Sequence, residues 1–193
     1  MENDPNNWTF YFDGIVQTDD CAVGSGVLVD FETAGTGAGF TWAVFENDDN
    51  PALEILANPD NSGINTSATV GKITARATGQ PWAGTETAHG DIGPITLDSS
   101  NSIVKVMVYK SVISDVGVKF AIPDGGAQME IRVPNTLLNQ WEDLTFDLSG
   151  YIGLHGTIGI DQFIFFPDFD DSPGGRSGDN VVYFDNVRLT DGT

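Results

Sequence analysis

Basic residues are scarce in this chain. Eight lysines and arginines stand against 28 aspartates and glutamates, a formal net charge of −20 over 193 residues. Phosphate recognition needs a basic stripe, so the balance argues against nucleic acid as a partner. It argues equally against an anionic membrane surface. The acid excess reads as a solubilising surface, as expected of a secreted or salt-adapted protein. There is one cysteine, Cys21, so an intramolecular disulfide is excluded, although that does not fix the compartment. No run is long and apolar enough for a membrane span. The polar start MENDPNNWTF carries the expectation that any export signal was removed or was never there. No long segment has helical periodicity. Zinc-ligand spacing, a phosphate loop and a Ser-His-Asp arrangement are all missing. The two histidines, His89 and His155, sit beside glycines without a companion motif.

What the chain does have is 23 glycines, 9 prolines and many Val, Ile and Phe residues in short alternating runs. These runs predict about eleven strands, an all-β jelly-roll β-sandwich of two antiparallel sheets. The length suits one domain. The sandwich is expected over residues 27–193, with 1–26 as an N-terminal extension or extra strand that includes WTFYFDGIV. GQPWAGTETAHGDIG reads as loop.

The last run, VVYFDNVRL, alternates so that Val181, Tyr183, Asp185, Val187 and Leu189 share one face. A carboxylate in an apolar row is costly unless a cation or hydrogen bonds offset its desolvation. In VLVDFETAG, Val27, Val29 and Phe31 take one face, and Leu28, Asp30 and Glu32 the other. Pairing these two runs would join the ends of the domain and bring Glu32 near Asp185. A structural Ca²⁺ between them is the expectation, since this hard cation takes six to eight oxygens. The competing reading is an Asp at a sheet edge bonded to a loop. A second acidic stretch, DFDDSPGGRSGD, spaces Asp168, Asp170, Ser172 and Asp179 like an EF-hand loop. It has Pro173 where the loop needs Gly and lacks flanking helices, so it reads as a solvated acidic loop.

The middle runs SIVKVMVYK, VGVKFAI and AQMEIRV have clean inward rows such as Val104, Val106 and Val108. Their other faces carry Lys105, Tyr109, Lys119, Glu130 and Arg132. Read as one sheet, they form an outer face fit for a polyhydroxylated ligand, because charged groups hydrogen-bond hydroxyls well. An ordinary solvated face with cross-strand ion pairs is the alternative. Trp42 and Trp141 belong to strands and are expected to pack. Trp82, in the polar stretch QPWAGTET, is either a plug under a loop or a platform on which a sugar ring stacks.

Five motifs in order, VDFE, NPDNSGINTS, PWAGTET, NQWEDLTFDLSG and YFDNVRL, resemble the accessory β-sandwich carbohydrate-binding modules of polysaccharide-degrading enzymes. The similarity is to modules on laminarinases and related secreted glycosidases of marine bacteria, over roughly residues 27–190. It implies a jelly roll with bound Ca²⁺, an extracellular or cell-surface location, and non-catalytic binding of a polysaccharide, a β-glucan such as laminarin. It also implies a place in a larger multimodular protein. The resemblance supports Glu32 and Asp185 as metal ligands and Trp82 as a sugar contact. Residues 1–26 lie outside it. Glycoside hydrolysis needs two carboxylates set across a cleft, and no strand here carries the laminarinase-type Glu-x-Asp-x-x-Glu motif. A small β-sandwich hydrolase or lyase, and a structural or adhesive surface subunit, are the other function classes the residues leave open.

Overall fold

The alternating runs form thirteen strands in a computed structural model that describes residues 26–32, 36–127, 129–172 and 174–192. The expected N-terminal extension, through residue 25, lies outside the described residues. In chain order the strands are β1 (Gly26–Val29), β2 (Trp42–Phe45), β3 (Glu54–Ala57), β4 (Thr69–Ala75), β5 (Gly84–Thr87), β6 (Ile95–Thr96) and β7 (Ile103–Lys110). They continue as β8 (Asp115–Ala121), β9 (Ile131–Pro134), β10 (Trp141–Asp147), β11 (Ile158–Ile160), β12 (Gln162–Phe169) and β13 (Asn180–Thr190). One sheet runs β10-β7-β13-β4-β3, with β1 also paired to β13. The other runs β2-β5-β12-β8-β9, and β6 with β11 makes a short ribbon. Neighbouring strands pair antiparallel, as in the ladders of a β-sandwich.

The core lies between the sheets. Val104, Val106 and Val108 of β7 and Val182 and Phe184 of β13 meet Phe120 of β8 and Phe163 and Phe165 of β12. Phe184 is the centre: it stacks on Phe165 at 4.2 Å and meets Phe31 and Trp42 edge-on at 5.0 and 5.8 Å. Trp42 thus packs as expected. Trp141 is also buried, its indole N–H donating to Asn58 Oδ1 (3.0 Å) and the Asp60 carbonyl (2.8 Å).

Three readings of the sequence are corrected. First, β5 lies inside a stretch read as loop. Its inward residues are Thr85 and Thr87, not aliphatics, so no apolar alternation marks it. Burial is tolerated because the Thr85 hydroxyl donates to the Ala43 carbonyl and the Thr87 hydroxyl accepts from Phe163 N–H. Second, β13 does not keep one parity. The register slips by one residue between Asp185 and Arg188, with Asn186 at φ 48°. Such a bulge switches which residues face inward. Val182 and Phe184 face the core before it, Val187 and Leu189 after it. Asp185 lies opposite Met107, on the outer side with Tyr183, not in an apolar row. A similar slip in β1 leaves Val27 about half exposed while Val29 is buried. Third, the middle strands do not form one sheet. β7 pairs with β10 and β13, whereas β8 pairs with β12 and β9. The chain crosses between sheets after β7 and again after β9, so no single outer face carries all five polar residues.

Candidate functional site

The outer face of the second sheet is a trough. A cavity of about 420 Å³ runs over it, between the β2/β5 side and the β9 side. Its floor is apolar. Ile164 and Phe166 project outward from β12, Ala121 from β8, and Phe169 ends β12. Phe45 of β2 meets Phe166 edge-on at 5.9 Å, and Phe169 lies 5.5 Å beyond. Glycines make this floor possible. A Cβ on Gly117 would stand 2.9 Å from the Phe166 ring, so the ring lies across the bare backbone of β8. The run QFIFFPDF is apolar on both sides for this reason: one row feeds the core and the other paves the trough.

The two rims differ. On the β5 side Trp82 is 43% exposed, in the turn before the strand, and its indole N–H donates to Glu46. Glu86, next along β5, is half-buried at the floor. On the β9 side Arg132 lies over the Phe169 ring, 3.3 Å from its centroid. Its guanidinium donates to Glu130 at 3.0 Å and to Asp171 at 2.8 Å. Lys119 stands 3.9 Å from Glu130. The trough therefore offers an aromatic edge, an apolar floor, and carboxylates and cations already paired with one another. That combination stacks a ring and bonds hydroxyls.

Trp82, Lys119, Glu130 and Arg132 come together here. Lys105 and Tyr109 do not. They lie on β7, on the outer face of the opposite sheet, where Lys105 faces Asp143 at 3.5 Å and Tyr109 packs between Trp141 and Tyr183 at 5.7 and 5.8 Å. The sequence reading also missed Phe45, Phe166, Phe169, Glu46 and Glu86. Two signals point to the rings: Phe45 is an aromatic on the outward phase of its strand, and FIFF is an uninterrupted run, the mark of a strand covered on both faces.

Glu32 and Asp185 meet at the outer side of the first sheet, under the segment before β4. Glu32 Oε1 accepts the amides of Ala68 (2.7 Å) and Thr69 (3.1 Å). Asp185 is fully buried. Its Oδ2 accepts from Asn65 (3.0 Å) and Asn186 (3.2 Å), while its Oδ1 has no hydrogen-bond partner. Burial pushes this carboxyl up to about 6 against its hydrogen bonds, and the Glu32 charge adds to the rise. An orphaned, buried carboxylate oxygen beside a second carboxylate fits a hard cation. No group of three or more His, Cys, Asp or Glu residues gathers among the described residues. A Ca²⁺ here would draw its remaining oxygens from carbonyls and water.

The acidic stretch after Pro167 is not merely solvated; two of its carboxylates are tied into the fold. Asp168 is buried and accepts from Arg176 Nε (2.8 Å), Asn180 (2.8 Å), Lys110 Nζ (3.4 Å) and the Ser114 hydroxyl. Burial would raise its pKa, but these bonds and the Lys110 and Arg176 charges hold it below the usual carboxylate range. Burial lowers the Lys110 pKa despite Asp168. Asp179 accepts from Arg76 (2.7 Å) and the Ala77 amide (2.9 Å).

No family model and no curated protein matches the chain by sequence. Solved structures do match by shape. A family 29 carbohydrate-binding module superimposes over 87% of this chain and 92% of its own length, with a TM-score of 0.50 at 10% identity. The chain has the β-sandwich fold of carbohydrate-binding modules. A second such structure, described for the promiscuous specificity of β-sandwich carbohydrate-binding modules, gives a TM-score of 0.50 at 14% identity over 87% of this chain and 63% of that one. An arabinose-bound α-L-arabinofuranosidase of family GH51 gives a TM-score of 0.61 at 12% identity, over 90% of this chain but 27% of the enzyme. At such identities the likeness is one of fold. Mutants of the family 29 module have been solved in complex with cellulohexaose and with mannohexaose.

Proposed function

We propose that this chain is a non-catalytic carbohydrate-binding module that holds a polysaccharide along the trough of its second sheet. The observation that carries this is the exposed Trp82 at the rim of an open trough floored by Ile164 and Phe166. A polymer needs such an open platform, because its ends cannot enter a closed pocket. Both trough cations are engaged with Glu130 or Asp171, so the site suits neutral hydroxyls better than anionic groups. A β-glucan such as laminarin is the first ligand to test. Aromatic stacking adds about 0.5–1.5 kcal/mol beyond area burial. Charge-assisted bonds add about 1.5–3 kcal/mol each before ordering costs, which gives micromolar to millimolar binding. That suffices for a module tethered to an enzyme. The proposal places the module in a larger protein, extracellular or at the cell surface; the match to 27% of a glycosidase chain supports the first part of this reading.

The orphaned Asp185 Oδ1 beside Glu32 supports a structural Ca²⁺ that neutralises both carboxylates where β1 closes onto β13. Affinity electrophoresis against a panel of polysaccharides tests the binding. Trp82→Ala and Arg132→Ala are each expected to weaken binding several-fold with little change in melting temperature. If both bind a confirmed glycan as well as the parent, the trough is not the site. Release of reducing sugar from any member of the panel would show an enzyme instead.

A further inference from the structure

Every N–H of the Arg176 guanidinium is used, although the side chain is 1% exposed. Nε donates to Asp168 Oδ2 at 2.8 Å. Nη1 donates to the carbonyls of Arg76 (3.2 Å) and Gln80 (3.0 Å). Nη2 donates to the carbonyls of Pro81 (3.0 Å) and Asp168. A guanidinium has five donors in a fixed fork, and here five acceptors take them. Three of the acceptors belong to residues 76–81, the segment that leads directly into Trp82. The Asp170 amide also donates to the Pro81 carbonyl, at 3.3 Å. Asp179, on the same β12–β13 connection, holds this segment from outside through Arg76 and the Ala77 amide. The other rim hangs from the same place. Phe169, next to Asp168, carries the Arg132 guanidinium, and Asp171 bonds it.

We infer that Arg176 is the positioning residue of the trough: seated on Asp168, it fixes the backbone of residues 76–81 and so holds Trp82 at the rim facing Arg132. The inference rests on the trough being the glycan site. A buried guanidinium cannot release one carbonyl without leaving both groups unpaired, so the segment has one arrangement. The ring is then ordered before the ligand arrives, and binding does not bear the cost of ordering it. Lysine in place of Arg176 keeps the charge but not the fork.

The test is a double-mutant cycle on the glycan that the panel identifies. Arg176→Lys and Asp179→Ala are made in the parent and in Trp82→Ala. Each is expected to weaken binding several-fold in the parent, no more than Trp82→Ala itself does, and to add nothing in Trp82→Ala. Unchanged affinity in a folded variant overturns the inference. So does an equal loss in the Trp82→Ala background, which marks a general loss of structure. Should Arg176→Lys not fold, Asp179→Ala carries the cycle, since Asp179 is exposed. Hydrogen exchange reads the same coupling without ligand. Residues 76–83 are expected to exchange faster in Arg176→Lys and in Asp179→Ala while β7 and β12 stay unchanged, and equal exchange overturns the inference. Full binding by both Trp82→Ala and Arg132→Ala sinks the trough as the site, whereas equal exchange of residues 76–83 in Arg176→Lys and the parent sinks the positioning role by itself.

Discussion

Asp185→Asn should change stability in opposite directions with and without Ca²⁺. Without the ion, the parent holds a buried carboxylate with one oxygen unpaired beside Glu32. The rise of its pKa from 3.8 to about 6 corresponds to about 3 kcal/mol against the charged form at neutral pH. An asparagine amide keeps the acceptor for Asn65 and Asn186 and carries no charge to bury beside Glu32. The variant should therefore melt higher than the parent in EDTA. With Ca²⁺ at a thousandfold excess over Kd, the parent gains about 4.1 kcal/mol by linkage, more than the cost of the buried charge. For a domain of this size that is roughly 8–16 °C. The variant loses one charged ligand and most of this gain. Its melting temperature should thus fall below that of the parent. Calorimetric melts of both proteins, each in EDTA and in millimolar Ca²⁺, check the crossing. A parent whose melt ignores the ion, with a variant less stable in both buffers, would refute the reasoning: Asp185 would then be a plain hydrogen-bonded loop anchor.

Two further outcomes follow from where the side chains lie. Lys105→Ala and Tyr109→Ala should leave glycan binding at the parental value, because both residues face away from the trough on the opposite sheet; a several-fold loss in affinity electrophoresis would move the site to that face. Asp168→Asn should cost about 3–5 kcal/mol in urea melts, since it strips the anion from buried Lys110 and Arg176. Because folding holds the Asp168 pKa down, its contribution is present above the unfolded value near 3.8 and is lost as pH falls through the folded value. The parent should accordingly lose more stability below pH ~4 than Asp168→Asn does, and parallel acid curves would contradict the assignment.

Period-2 alternation alone determines that this is an all-β chain and where most strands run: β7 and β8 are legible residue by residue, and the closing pair β1 and β13 in place but not in phase. Sequence also marks Asp185 as a carboxylate out of place and Trp82 as an aromatic without an apolar partner row. Both judgements need only local chemistry. Alternation says which residues share a face, but not which sheet a strand joins. Placing β7 and β8 back to back is decided by their pairing with β13 and β12, partners far along the chain, and this alone parts Lys105 and Tyr109 from Lys119 and Arg132. A bulge is equally silent in sequence. One extra residue at Asn186 turns the rest of β13 over and takes Asp185 out of the core row. The trough floor needs Gly117 bare under Phe166, and the rim needs Arg176 to gather carbonyls from residues 76, 80 and 81. Backbone carbonyls carry no sequence signature, and a glycine does not say which ring will cross it. These are contacts between distant segments, and only the packed tertiary structure fixes them.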